Sequence, residues 1–402
     1  MRTVWWSTAV LTMCVASAAF GGAKVEIDEE ASIDIGFRVQ ALAIATEKDL
    51  DGDGAFDSDT DFKVRRGRLR LKGIVNEQVS AFLQTDVGSG ADGSGLDWRL
   101  IDAFVTLQPC DQLSIIAGEN MAPASRQNLT SSGALMCMDR PGMNYKTLTW
   151  GTRSVYAFAN NTFADADAGL RGDVDVRDTG VTLFSSKSLT DTLHTKCYAG
   201  AYDGVQLRAE DNVRMTARAQ VNLFDAEAGY YNQSTYVGGK KTVGLGASYD
   251  FQPDVASKAD GGPADYSFWT VDAFMDLPLG PGHVTVEGAF QTLDLDDMVL
   301  DLDADPETEL TGTEHAAGDG YYVQAGYLLD KVQPWIGFEQ WDSDAETGRG
   351  SYDLYRAGLT YFLKGHNANL KAGYEKLESD TAIGATMEDS IESFVLGCYV
   401  TY

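Results

Sequence analysis

Ser393–Tyr402 reads SFVLGCYVTY. In an extended chain Phe394, Leu396, Cys398, Val400 and Tyr402 share one face, and Ser393, Gly397 and Thr401 fall largely on the other. A period of two with an apolar outer row suits a strand that has lipid on one side and water on the other. The pattern recurs along the chain. Ile33, Ile35, Phe37, Val39, Ala41 and Ala43 alternate with Asp34, Gly36, Arg38 and Gln40. Val213, Met215, Ala217, Ala219, Val221 and Leu223 alternate with Arg214, Thr216, Arg218, Gln220 and Asn222. A third row runs Val243, Leu245, Ala247, Tyr249, Phe251. The polar rows are rich in glycine and charge, which fits a wet lumen better than the packed core of a sandwich.

Composition points the same way. The 402 residues include 42 glycines, 9 prolines and 4 histidines, and 10% are aromatic. Beyond the N-terminus no apolar run approaches the roughly 18 residues of a membrane helix. A membrane-spanning chain of this kind must be a closed all-β barrel, because open sheet edges cannot face lipid. The glycine before a terminal aromatic resembles the signal by which bacterial outer-membrane barrels are recognised for insertion.

Residues 1–23 read as a secretory leader: Arg2 supplies the positive start, Ala9–Ala16 the apolar core, and Ala16-Ser17-Ala18 or Ala23 the cleavage point. Cys14 follows Leu11 at lipoprotein spacing, but Met13 is too large for that processing. Residues 24–402 then form one barrel domain. Cys110, Cys137, Cys197 and Cys398 match no metal spacing and read as structural.

Strand number follows from parity, because such barrels have short turns at one end and long loops at the other. Short connections fall at Asn76-Glu77, Pro109–Gln112, Leu189–Asp191, Leu279–Gly282, Asp330-Lys331 and Gly365–Asn367. A further link spans Asp225–Lys241. The tally is 16 antiparallel strands, or 18 if the tyrosines of that link belong to two more. The longest irregular segment, Asn120–Asp175, is the third outer loop and is expected to fold inward and narrow the pore.

The formal charge is −29, and the acid sits in blocks at Glu47–Asp61, Asp294–Glu314, Asp342–Glu346 and Glu378–Glu392 that read as solvated loops. Nucleic acid is excluded as a partner at this charge. The sharpest positive feature is Val64–Gly73, VRRGRLRLKG. Arg66, Arg68, Arg70 and Lys72 point one way along about 20 Å of strand. A midplane Arg or Lys facing lipid costs roughly 2–4 kcal/mol, so the row faces the lumen. There it either guides anions from site to site or braces the wall by pairing with carboxylates on opposite strands. Arg38, Arg214, Arg218 and Arg356 share the lumen parity of their strands and extend the basic lining.

DLDGDGAFDSDTD places Asp49, Asp51, Asp53 and Asp57 at calcium-loop spacing, but the twelfth position is Thr60 rather than a bidentate Glu. Calcium bridging and a plain acidic loop both remain open, and no other cofactor is indicated. His194, His283, His315 and His366 have no catalytic motif beside them, so an enzyme is not expected.

The chain resembles the phosphate-selective porin O and P family of trimeric outer-membrane channels. The resemblance rests on RRGRLRLKG, on LIDAFVTLQP followed by LSIIAGENMAPASRQNLTSSGALMCMDRPGMN, on RDTGVTLF, CYAGAYDG and YRAGLTYFLKGHNANLKAGYE. It implies a homotrimer in outer-membrane lipid that passes small hydrophilic solutes, anions such as phosphate among them. It also implies that Arg66, Arg68, Arg70 and Lys72 line the wall and that Arg126, Arg140 and Lys146 are the basic residues of the third loop. Two features depart from the family: Asn144–Asp175 is long, and the acidic loops would repel anions at the mouth. A cation-preferring porin and a non-conducting, plugged adhesive barrel are the rival readings.

Overall fold

The computed structural model describes residues 22–48, 57–89, 96–141, 177–204, 212–300, 311, 312, 314, 316–346, 350–379 and 390–402. Sixteen strands form the wall: β2 (Ser32–Lys48), β3 (Asp57–Ile74), β4 (Val79–Ser89), β5 (Leu96–Cys110), β6 (Leu113–Met121), β7 (Arg177–Ser188), β8 (Leu193–Tyr202), β9 (Arg214–Phe224), β10 (Thr242–Lys258), β11 (Pro263–Leu279), β12 (Gly282–Asp294), β15 (Gly318–Leu328), β16 (Val332–Ser343), β17 (Tyr352–Lys364), β18 (Ala368–Glu378) and β19 (Ser390–Thr401). Each pairs antiparallel with its neighbour, and β19 returns to β2 with register Thr401↔Arg38 to Glu392↔Glu47. That last pairing removes the sheet edge, as lipid requires. Outside the wall lie β1 (Ala23–Glu26), which covers the lower edge of β2, and the short β13 (Met298–Leu300) and β14 (Thr311–Gly312) of one loop.

The expected count of 16 holds, and the alternative of 18 does not. Asp225–Lys241 contains no strand; it leaves β9 and returns to β10 as an irregular link. The terminal strand alternates as expected: Phe394, Leu396 and Tyr402 are exposed outward, while Val395, Tyr399 and Thr401 are buried inward. The backbone N–H of Tyr402 donates to the carbonyl of Phe37, and the Phe37 N–H donates to the carbonyl of Tyr402, both at 2.8 Å, and their rings stack at 5.5 Å. Gly36 permits this approach, since a Cβ there would lie 2.6 Å from the Tyr402 carbonyl oxygen.

Two register shifts alter what lines the lumen. Between Gln40 and Ala41 the partner on β3 jumps from Arg66 to Val64, so Arg65 is an extra residue. A bulge lets two consecutive side chains lean to one side, and both Arg65 and Arg66 are buried. Between β4 and β5, Gln84 faces Asp102 and Thr85 faces Leu100, leaving Ile101 as the extra residue.

The outward row makes a direct claim about the solvent. Leu396 is 62% exposed in mid-strand, so Leu396→Arg is expected to destabilise the barrel by about 2–4 kcal/mol. Denaturant unfolding from lipid vesicles checks this, and a near-zero change would mean that this face does not meet lipid.

Candidate functional site

After β6 the chain turns into the barrel. Every residue from Ala122 to Pro141 is buried except Ser131 and Gly133, which are half-buried. Ser125 caps a single helical turn, α1 (Arg126–Leu129), by accepting from the Asn128 N–H at 3.1 Å. The following apolar run, Ala134–Met138, would be costly in water and finds a patch on the inner wall. Met136, Cys137 and Met138 pack with Leu42, Ile44, Trp335, Val395 and Tyr399. Lys371 clasps the run by donating to the carbonyls of Leu135, Met136 and Cys137 at 2.6, 3.3 and 2.5 Å. Thr360 donates to the Met136 carbonyl at 2.8 Å, and the Tyr399 hydroxyl donates to that of Met138 at 2.6 Å. Backbone acceptors that lie inside a barrel without strand partners are thereby satisfied.

The link Asp225–Lys241 also folds inward, from the short-turn end, and meets this loop. Asn232 N–H donates to the Leu129 carbonyl at 2.8 Å, Ser131 N–H to that of Asn232 at 3.0 Å, and Ser234 N–H to that of Ala134 at 3.0 Å. We call the link the strap. It is tied to the wall by Lys196 donating to Asn232 Oδ1, Ser234 donating to Glu287 and Tyr236 N–H donating to Asp276. At the far side the His366 ring nitrogen Nε2 lies 2.8 Å from the Thr235 carbonyl oxygen.

The tip of the loop presses on the basic wall. Ser132 Oγ accepts from Arg38 Nη1 at 2.6 Å and from Arg68 Nη1 at 3.0 Å, and its carbonyl accepts from Gln40 at 2.8 Å. Gly133 leaves room for Arg38, whose Nη2 would lie 2.3 Å from a Cβ there. Asp139 takes both bulge arginines: Arg65 Nε at 2.9 Å and Arg66 Nη2 at 3.1 Å. Asp86 takes Arg68 at 2.7 Å. Arg70 is buried beside them, and Lys72 is half-buried towards the short turns.

The sequence-derived residues therefore separate. Arg66, Arg68 and Arg70 share one lumen face with Arg38 and Arg65. Arg140 is in the same loop as Ser132 and donates to the Thr130 carbonyl. Arg126 lies elsewhere, buried in a bidentate pair with Glu227 at 3.0 and 3.1 Å. Lys146, Asp49, Asp51 and Asp53 fall outside the described residues, as does the side chain of Asp57, which opens β3. Of the extended basic lining, Arg214 pairs with Asp178 and Asp250, Arg218 with Asp272, and Arg356 with Glu339. The wet lumen expected from the polar rows does not hold along β9–β12, where Arg214, Asp250, Asp272 and Glu287 are 2% exposed or less.

Sequence reasoning missed Arg65, Ser132, Lys371, the strap and the carboxylates Asp86, Asp102 and Asp139. It also missed Arg177, held by Asp102 at 2.8 Å. The parity of Asp86 and Asp102 was available from the alternation of β4 and β5; the others depend on a bulge or on contacts between distant segments.

A closed antiparallel barrel with an apolar outer row, a charged inner row and an inward third loop has the architecture of an outer-membrane porin barrel. The chain belongs to the phosphate-selective porin O and P family, whose sequence model matches residues 37–389. It is 24% identical over 307 residues to an uncharacterised protein of Aquifex aeolicus (strain VF5), which covers 71% of this chain and 61% of that relative. Its fold is similar to an anion-selective porin from Comamonas acidovorans, with a TM-score of 0.58, 13% identity, and 93% of this chain and 100% of that one covered. It is also similar to the in-vitro folded trimer form of OmpT, an outer membrane protein of Vibrio cholerae, with a TM-score of 0.54, 16% identity, and coverage of 93% and 100%.

His366 reports on the strap. Burial, partly offset by the bond to Thr235 and reinforced by Lys371 and Arg38, pushes its pKa down to about 4. An opened strap frees the ring to take a proton at its ordinary value near 6.5. Because the open state then binds more protons, the closed state loses stability as pH falls from 6.5 to 4, and it changes little from this group outside that window. Hydrogen exchange of the Thr235–Val237 amides, corrected for intrinsic rate, is expected to quicken across that range. His366→Gln is expected to flatten the dependence.

Proposed function

We propose that the porin favours small anions, phosphate among them, and that they pass along the β2–β3 face beside the loop tip. One observation carries this reading: Arg38 has the guanidiniums of Arg66, Arg68, Arg70 and Arg140 as its charged neighbours. Together with Arg65 that makes a six-arginine face, in which Asp139 holds Arg65 and Arg66 and Asp86 holds Arg68. Positive charge gathered along a narrow, poorly hydrated passage lowers the barrier for an anion more than in bulk water. Half-buried Lys72 continues the row towards the periplasmic end. The carboxylates do not erase the row; they space its charge, which lets an anion leave each position as well as enter it. The loop Ala122–Pro141 supplies the size limit. No chemical step is assigned to the protein; passage is passive.

Bracing and guidance thus coexist on the same residues. Arg66 and Arg68 are each held by a carboxylate, yet each keeps further donors on the lumen side: Arg66 to Gln40 and Arg68 to Ser132. The acidic rim favours the cation-preferring alternative, since Asp294, Asp297, Asp319 and Asp344 lie near one another at the loop end. Exposed rim charges are screened within about 8 Å at physiological salt, which leaves the buried face dominant. We also infer a trimer, exported by the leader Met1–Ala23; the trimer form of the Vibrio cholerae relative is consistent with the first.

Planar-bilayer recordings on charge variants test the reading. Asp86→Asn is expected to raise the chloride-to-potassium permeability ratio, by up to about fivefold for one unit charge near 4 Å in water. The combined Arg66→Ala, Arg68→Ala, Arg70→Ala variant is expected to shift selectivity towards cations, and added phosphate to block chloride current in the wild type but not in the variant. If neither variant moves the ratio, the row is structural and the cation-preferring reading stands.

A further inference from the structure

We propose that the periplasmic strap Asp225–Lys241 is the second half of the selectivity constriction. Arg126 and Glu227 act in it as positioning residues that fix Ser132 between Arg38 and Arg68.

The chain of contacts is short. Glu227 is fully buried and takes both terminal nitrogens of Arg126, and it also accepts from Gln220 at 2.7 Å, Asn222 at 2.9 Å and the Tyr236 hydroxyl at 2.6 Å. One Arg126 nitrogen donates onward to the Gln233 carbonyl at 3.1 Å, and the guanidinium lies 4.0 Å over the Phe274 ring. Five donors on one carboxylate, and a guanidinium with partners on both strap and wall, leave this pair a single arrangement. Immediately next to it, Leu129–Ala134 and Asn232–Ser234 run side by side through three backbone hydrogen bonds. Ser132 lies within that paired stretch, and its other side meets the arginines. The strap therefore backs the loop tip, as a neighbouring strand backs an edge. The apolar seat and Lys371 hold only the later part of the loop, Leu135–Met138.

A strap of this kind makes selectivity depend on a segment that enters from the periplasmic end and carries none of the pore arginines. Neither Arg126 nor Glu227 touches the arginine face. Their removal alters passage through the placement of Ser132 rather than through the loss of a lumen charge on the path.

The test uses two full-length variants, Glu227→Gln, which is isosteric, and Asn232→Pro, which removes the N–H donated to Leu129 together with the Oδ1 that accepts from Lys196 of β8. Three readouts are taken: heat-modifiable gel migration for the folded barrel, hydrogen exchange of the Leu129–Ala134 amides, and the chloride-to-potassium permeability ratio with unitary conductance. The expected result is a folded barrel, faster exchange in that segment and a several-fold change in permeability ratio in both variants. Faster exchange with wild-type permeation would overturn the proposal, because the strap would then hold the loop without setting the path. Unchanged exchange would overturn it as well. So would failure of both variants to fold, since the strap would then belong to barrel stability. The inference deepens the anion reading of the same face, but the two fail differently. A wild type without anion preference overturns that reading, whereas the strap is then judged on conductance and exchange.

Discussion

Backbone groups in hydrocarbon have no water to bond with, and that constraint shapes the whole molecule. It forces the sheet to close, and closure depends on β19 finding β2. The reciprocal bonds of Tyr402 and Phe37 and the stack of their rings set that seam. Once the wall is closed, its outward row must be apolar and its charges must point inward. The lumen then concentrates ionisable groups in a space with little water, where an unpaired charge is costly.

The lumen resolves this unevenly. Along β9–β12 arginines and carboxylates satisfy one another and are sealed from solvent. On the β2–β3 face Asp86 and Asp139 hold three of the arginines, and the hydroxyl of a loop serine sits between Arg38 and Arg68. The loop that brings this serine must satisfy its own backbone, and it does so with Lys371, Thr360 and Tyr399 on one side and the strap on the other. Filling the barrel and shaping its passage are one structural act: the groups that complete hydrogen bonds for the loop also determine where its tip stands.

Much of this was legible from residue order. The alternation in Ser393–Tyr402 and in the rows around Val213 and Val243 marked lipid-facing strands, because a period of two survives in any barrel wall. Short turns at Asn76-Glu77 and Gly365–Asn367 carried the count to 16, because turn length differs between the two ends. The parity of Arg66, Arg68 and Arg70 was correct for the same reason. Arg65 was not legible, since the bulge opposite Gln40 and Ala41 turns it inward against parity. The tyrosines of Asp225–Lys241 suggested strands; in fact they anchor an irregular strap, with Tyr230 donating to the Met121 carbonyl and Tyr236 to Glu227. Asp139 as partner of Arg65 and Arg66, and Glu227 as partner of Arg126, join segments far apart in sequence, and no local pattern encodes such pairs.

The central claim is that the arginine face of β2, β3 and the loop governs passage. The reversal potential of the wild-type channel in a planar bilayer under a KCl gradient addresses it most directly. The account predicts a potential displaced towards that of chloride, and more so as ionic strength falls and screening weakens. A potential displaced towards that of potassium would contradict it, because the acidic rim rather than the buried face would then control which ions enter.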